Sequence, residues 1–419
     1  MTDSASSANA AGITLRAQGK LQEAIAAFRR GIEAHPTVAV LRQNLSQALY
    51  ESGDVIAAIA EQRKVLAFDP DNLATHLALY ELLQVSGDRI IALAHQRLAL
   101  EEQRLFSSIA PHERRRVLFL FAPGDWQANI PIDFVLDRDA TTVHKLYLLD
   151  AGHLRIDKLP PHDVIWNAIA ESPEAAPYLV LAESAIAASR KPLINLPTRV
   201  LATSRVRLPA TLANVDARVA PIATLNAEQL RKAAVAFAFP IIARPLGSHA
   251  GHGLEKLETS ADCAAYAERT HSDEYVVSPF IDYSSPDGFF RKYRIMFVDS
   301  EPYATHLAIS PNWMVHYYNA PMKEHAWMRD EEGAFLKDVY SVFDGERARA
   351  LKAIAGAVGL EYFGIDCAID RDGRVLIFEA DPAMLVHTSD PIDLYPYKHE
   401  YIPRIYRAIE QMIDRRKNA

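Results

Sequence analysis

Cysteine is almost missing from this 419-residue chain, which has only Cys263 and Cys367. Both sit in apolar surroundings and form no metal-type pair, so a reduced, cytoplasmic setting is expected. Long apolar runs are missing too. No stretch of about 18 apolar residues occurs, so no membrane-spanning helix is expected. Positive charge is not in excess. The net charge of −8 gives no global pull toward nucleic acid or an anionic membrane. The opening MTDSASSANA lacks a basic segment followed by an apolar core, so it is no secretory signal and reads as a short disordered lead-in over residues 1–8. What remains is ordinary for a soluble globular protein, 49% hydrophobic and 23% charged, and long enough for two to four domains.

The first hundred residues carry a period. Gly19, Gly53 and Gly87 are 34 residues apart, as are Ala24, Ala58 and Ala92, and Leu15, Leu49 and Leu83. Pro36 and Pro70 close the first two units. The spacing resembles the tetratricopeptide repeat, a pair of antiparallel helices per unit, with glycine at the turn and alanine where helices pack closely. The resemblance implies a helical domain over about 9–110 whose concave face takes a peptide or partner protein, or packs a second subunit as a homodimer.

From Val117 the pattern changes to short apolar runs alternating with helical ones. Strands are expected at Val117–Phe121, Val143–Leu149, Val164–Ala168 and Leu193–Asn195, with helices at Ile130–Leu136 and Pro173–Ala188. This order predicts a parallel α/β domain over about 115–200. Further helices are expected at Ala202–Leu212 and Ala227–Ala238, and a last amphipathic one at Tyr401–Arg416.

Chemistry is concentrated in three stretches. Tyr362–Met384 reads as a β-hairpin around Asp370-Arg371-Asp372-Gly373. It carries Asp366, Glu379 and Asp381 on otherwise apolar strands. Residues two apart in a strand share a face, so the three carboxylates can converge. Such a cluster is costly to bury unless a cation such as Mg²⁺ neutralises it. Upstream, FPIIARPLGSHAGHG delivers Arg244 from a strand into a loop with Gly247, Ser248, Gly251 and Gly253. Glycines permit close backbone approach, so successive N–H groups can cradle phosphate oxygens. The glycine spacing fits neither a P-loop nor a dinucleotide fingerprint. Between the two, EYVVSPFI is a strand ending in proline. FRKYRIMFV is an apolar strand bearing Arg291, Lys292 and Arg294, suited to holding an anion.

In this order the parts resemble an ATP-grasp ligase of the glutathione-synthetase and ribosomal-protein glutamate-ligase branch. The resemblance covers about 115–410 and implies an α+β ATP-grasp body over 201–419, with lobes near 201–280 and 281–419. The chain as a whole is then multidomain: all-α tetratricopeptide-like repeats, an α/β domain and the α+β ATP-grasp fold. It implies that Arg244 and Arg205 contact the phosphates, that Gly247, Ser248, Gly251 and Gly253 fold over them, and that Val277, Ser278 and Phe280 run past the adenine. Arg294 would steady the γ-phosphate and acyl phosphate, and Asp366, Glu379 and Asp381 would hold two Mg²⁺ ions. The implied reaction joins a carboxylate to an amine or thiol through an acyl phosphate. The family usually has lysine at Arg244 and asparagine at Asp381. A non-catalytic nucleotide-binding scaffold and an ATP-grasp kinase remain open as alternatives. The stretch HLAISPNWMVHYYNAPMKEHAWMRDEE, with His306, Trp313, His316, Tyr317, Tyr318, Asn319 and His325, is the expected acceptor or carboxylate pocket, with His316 and Asn319 foremost. His387, His249 and His252 are further candidates near the metal or phosphate positions.

Overall fold

The computed structural model describes residues 2–149, 159–233, 236–246, 248, 253–316 and 319–418. They form two compact units, one of Met1–Phe106 with Pro123–Asp125 and one of Ser107–Ala122 with Trp126–Ala419.

The first unit is three helix pairs: α1 Thr2–Ala17, α2 Leu21–Ala34, α3 Ala39–Glu51, α4 Val55–Leu66, α5 Leu73–Val85 and α6 Arg89–Glu102. Gly19, Gly53 and Gly87 each follow the first helix of a pair with φ of 73°, 90° and 89°. That left-handed backbone is what ends one helix and starts the next, and it favours glycine. Ala24, Ala58 and Ala92 are fully buried where the helices meet. Phe28, Leu41, Leu45, Leu79 and Leu83 fill the space between pairs. The expected disordered lead-in is instead the start of α1. Alanine favours helix, and the Ser4 hydroxyl lies 2.5 Å from the His35 ring, tying this turn to the end of α2.

The second unit holds three sheets. The first has the order β1-β3-β2-β4-β5, with β1 Leu105–Ser108, β2 Arg115–Phe121, β3 Thr141–Tyr147, β4 Val164–Asn167 and β5 Leu193–Ile194. β2 pairs in parallel with both β3 and β4. The chain therefore steps outward one way to β3 and the other way to β4, which opens a crevice at the carboxyl ends of β2 and β4. Helix α7, Ala176–Ser189, follows β4. The expected helix at Ile130–Leu136 is only a 3₁₀ turn at Ile132–Phe134.

The second sheet is antiparallel, β7-β10-β8-β9: β7 Ala223–Asn226, β8 Ile241–Pro245, β9 Glu255–Leu257 and β10 Glu274–Pro279. The third is β12-β11-β13-β14-β6: β6 Arg218–Val219, β11 Phe290–Val298, β12 Glu301–Ser310, β13 Tyr362–Ile369 and β14 Val375–Asp381. The Asp-Gly hairpin is present, with Gly373 at φ 79°. Two expected helices shrink. Ala202–Leu212 keeps only Leu208–Thr211, because Pro209 restarts the helix, the Thr203 hydroxyl donates to Val200 O of the short helix Pro197–Leu201, and the Thr211 hydroxyl donates to Ala202 O. The one at Ala227–Ala238 closes at Arg231, two residues before Ala233 turns to φ 47°. The terminal helix runs Pro403–Lys417. Aromatic pairs bind the core, with Phe297 stacked on Phe363 at 4.7 Å and Trp166 edge-on to Tyr362 at 5.3 Å. Among the described residues no helix is long and apolar enough to cross a membrane.

Candidate active site

Register aligns the chemistry. In the third sheet Arg294 of β11 lies opposite Asp366 of β13, and Asp366 lies opposite Glu379 of β14. Directly opposed residues share a face, so one line of side chains crosses three strands. Asp381 stands one pleat further along the same face, opposite Gly364. The register shifts immediately after Arg294 and after Asp366. Bulges of this kind re-aim side chains and are common beside active sites.

The charges in this row are paired. Arg294 grips Asp366 with both prongs, Nε to Oδ1 at 2.8 Å and a terminal nitrogen to Oδ2 at 3.0 Å. Lys292 Nζ adds a third bond to Oδ2 at 2.8 Å. Burial alone would raise the Asp366 carboxyl, but Arg294 and Lys292 outweigh it and hold it below the usual carboxylate range. The Arg294 guanidinium is raised in return: burial opposes its charge and Asp366 more than restores it. Glu379 accepts from Arg205 at 2.5 Å. Asp381 has no such cation. Its Oδ1 accepts from the Ala383 N–H at 2.7 Å, and burial, then the neighbouring Glu379, push its carboxyl up to about 6.

Arg244 comes to the same place from the second sheet. Its Nε donates to the Ser248 hydroxyl at 2.9 Å, and the guanidinium also bonds the Ser248 carbonyl. Burial first, then repulsion from Arg205, lowers the guanidinium to about 10, with Glu379 acting in the other direction. Two guanidinium groups that repel each other in a half-buried place favour an anion between them. Gly253 follows with φ 65°, its Cα packed against Pro245, a conformation and a space that suit only glycine. Gly247, Gly251, His249 and His252 lie outside the described residues, as do Tyr317 and Tyr318.

Other expected residues are placed differently. Val277 is an interior residue of β10, paired with Ala223 on one side and Ala243 on the other, so its backbone belongs to the sheet. Ser278 and Phe280 lie past the end of the β7 pairing, and Phe280 N–H donates to Pro240 O at 3.0 Å. The Phe280 ring lies under Lys256 Nζ at 4.2 Å and edge-on to Trp313 at 5.7 Å, an aromatic wall with a cation above it. Asn319 is taken up by its own loop, donating to Met314 O at 2.8 Å and accepting from His316 N–H at 2.7 Å. His316 feels Lys292, Arg294, Asp366 and Glu379. Burial first, then Lys292 and Arg294, lowers its ring. His387 Nδ1 caps the Ser389 N–H at 3.1 Å. Arg291 serves structure, bound to Glu331 at 2.5 Å and Asp287 at 2.8 Å.

The carboxylates do not stand ready as a metal cluster. Among the described residues no three histidine, cysteine, aspartate or glutamate side chains are grouped to hold an ion as they stand. The physical reason is the ion pairs: the oxygens of Asp366 and Glu379 are turned to Lys292, Arg294 and Arg205. The donor set itself is all oxygen and acidic, which suits Mg²⁺ and not a softer metal.

Lys292, read with Arg291 and Arg294 as a cation suited to an anion, is bound to Asp366. One residue near the row was not singled out from the sequence. Glu171 follows β4 by four residues. Burial first, then Asp381 and Glu174, raise its carboxyl to about 7 against Arg205 and Arg207. Its only sequence signal was its position just after a strand of a parallel sheet.

Residues 15–83 match the tetratricopeptide repeat family. No curated protein matches the chain. In structure it is similar to D-alanine–D-alanine ligase from Bacillus anthracis complexed with ATP, at 11% identity and a TM-score of 0.43 over 73% of this chain and 99% of that one. It is similar to a RimK-domain ATP-grasp protein from Sphaerobacter thermophilus at 13% identity and a TM-score of 0.43, over 71% of this chain and 99% of that one. The D-Ala:D-Ser ligase VanG from Enterococcus faecalis gives 10% identity and a TM-score of 0.44, over 71% of this chain and 99% of that one. In fold class the chain is a set of tetratricopeptide-like helical repeats followed by a parallel α/β sheet and two further sheets, one antiparallel and one mixed.

Proposed function

We propose that this chain is an ATP- and Mg²⁺-dependent ligase that joins a carboxylate to an amine through an acyl phosphate, on a peptide, protein or carrier-bound substrate. The observation that carries the reading is the row Arg294–Asp366–Glu379 with Arg205 and Arg244 beside it. Phosphoryl transfer needs little beyond positioning and neutralised charge, and this row supplies cations and carboxylates at one place.

Arg244 and Arg205 are the groups to bind the phosphates, with Ser248 and the glycine loop closing over them. The adenine is placed against Phe280 and Lys256, with backbone contact at Ser278. Asp366, Glu379 and Asp381 would hold Mg²⁺, which when bound supplies charge neutralisation on the phosphates. Binding has a built-in exchange: Arg205, Lys292 and Arg294 release carboxylates and take phosphate oxygens instead. Arg294 and His316 then face the transferred group, with Asn319 fixing the loop that carries His316. The repeats are the candidate surface for a partner or a carrier-bound substrate.

The test incubates the full-length protein with ATP, Mg²⁺ and pools of amino acids and short peptides. ADP release that depends on one carboxylate–amine pair is the expected result. Nucleotide binding without turnover across all pools would count against the ligase and favour a nucleotide-binding scaffold.

A further inference from the structure

The repeats carry a second period, on the side of their helices that the core does not use. In α2, α4 and α6 one stripe at i, i+4 and i+7 reads Gln22-Ala26-Arg29, Ile56-Ala60-Arg63 and Ile90-Ala94-Arg97, each position 34 residues from the next. Residues at this spacing share one face of a helix. Ala24, Ala58 and Ala92, two positions past the head of each stripe, are fully buried. At about 100° per residue the stripe therefore points away from the packed side. Every residue in it is exposed.

Two features set this face apart. Ile56 and Ile90 are 81% and 86% exposed, the most open of the large apolar side chains among the described residues. The core of the unit has no use for them, since Phe28, Leu41 and Leu79 fill it from the other side. Exposed apolar groups rimmed by charge mark a surface that another molecule covers. Beside them Arg29, Arg63 and Arg97 form a ladder, one guanidinium per repeat. Among the described residues only Arg97 of these has a carboxylate in reach, Glu101 at 3.9 Å, with both side chains largely in solvent. Arg30 and Lys64 flank the ladder, and Lys64 is held by Glu61 at 2.6 Å.

The chain has a net charge of −8, so cations gathered on one exposed stripe stand against the background and favour an acidic ligand. Arginine suits a protein partner. Its planar fork takes a carboxylate with two bonds, and its stem covers apolar surface. The alanines between isoleucine and arginine leave a shallow floor, which lets a second helix lie close. A phosphate polymer or an anionic bilayer fits less well. Each asks for a longer block of cations, and Glu33 and Glu101 interrupt this one.

We propose that this face of α2, α4 and α6 is a docking site for an acidic amphipathic protein segment. Arg29, Arg63 and Arg97 take its carboxylates, and Ile56 and Ile90 take its apolar residues. The proposal rests on the reading of the repeats as the partner surface, and adds to it the face and the chemistry of the partner.

The test titrates the full-length protein, without ATP, into a fluorescein-labelled amphipathic peptide of about 20 residues built from Glu, Ala and Leu, about 30 Å long as a helix. A counterpart has Lys for every Glu. Phosphatidylserine vesicles and single-stranded DNA are the other probes. The acidic peptide should bind at least about tenfold more tightly than the Lys peptide, and should weaken as salt is raised. Arg29→Glu with Arg63→Glu and Arg97→Glu should lower that affinity at least about tenfold and remove its weakening with salt. Ile56→Ser with Ile90→Ser should lower it about fivefold and keep the salt dependence. These side chains are exposed, so both variants should melt with the wild type. Equal affinity for the two peptides, or an acidic-peptide affinity unchanged in the arginine variant, would overturn the assignment. Tighter binding of vesicles or DNA than of the acidic peptide would overturn it and leave the repeats as a surface for another ligand. Absence of binding by every probe would overturn it together with the reading of the repeats as a partner surface, while the ligase reading would still stand on its own ADP assay.

Discussion

Asp381 is the residue with the least compensation in the site. Asp366 has two cations and Glu379 has one, whereas the best partner of Asp381 is a backbone N–H. Its folded value of about 6 lies above its ordinary 3.8. Between those values the folded protein binds more protons than the unfolded chain, so stability falls as pH rises through that window and the penalty is complete above it. Asp381→Asn should therefore stabilise the ligand-free protein by about 1–2 kcal/mol above pH 6, with the gain vanishing near pH 4. Thermal melts across pH check this, and a variant less stable than wild type at neutral pH would contradict it. The need for positive charge near the acids was legible from Arg244 and Arg294. What was not legible is that Lys292 shares Asp366 with Arg294, because a basic residue on a strand gives no sign of which strand lies beside it.

At the scale of elements, the hairpin β13–β14 and the repeats were readable because each carries a local signal. Asp-Gly turn chemistry fixes the first, and glycines at positive φ fix the second. β12 was not readable. Its start, Glu301-Pro302, looks like a loop, and the turn before it is made by Asp299 and Ser300 at φ 49° and 70° without glycine. Missing that strand put His306 in a loop, whereas register sets it opposite Arg294. Val277 is a related case: a sequence shows an apolar strand but not that neighbours pair on both of its edges. Packing within the hairpin is tight at Gly364. A Cβ there would sit 2.5 Å from the Met384 sulfur and 2.6 Å from the Met296 sulfur, both buried. Gly364→Ala should cost about 1–3 kcal/mol of stability in chemical denaturation. A midpoint equal to wild type would show that the two methionines repack freely.

At the scale of the molecule, the fold class was legible as a change of period, from 34-residue helical units to alternating strands and helices. The site was legible only in part, because its residues come from two sheets and the turn at Arg205, 174 positions before Glu379, and only folding brings Arg205 to Glu379. Self-neutralisation follows from that assembly: carboxylates and arginines hold each other, and under the proposed function phosphates and a metal ion would separate them. Metal and nucleotide should therefore bind with strong mutual dependence. The direct measurement is calorimetric titration of ATP into the full-length protein with Mg²⁺ and with EDTA, for wild type and Glu379→Gln. Wild type should bind ATP at least about tenfold more tightly with Mg²⁺, and Glu379→Gln should lose most of that difference while staying folded. Equal affinity with and without Mg²⁺, or a Mg²⁺ effect that survives intact in Glu379→Gln, would contradict the assignment of this row as the nucleotide and metal site.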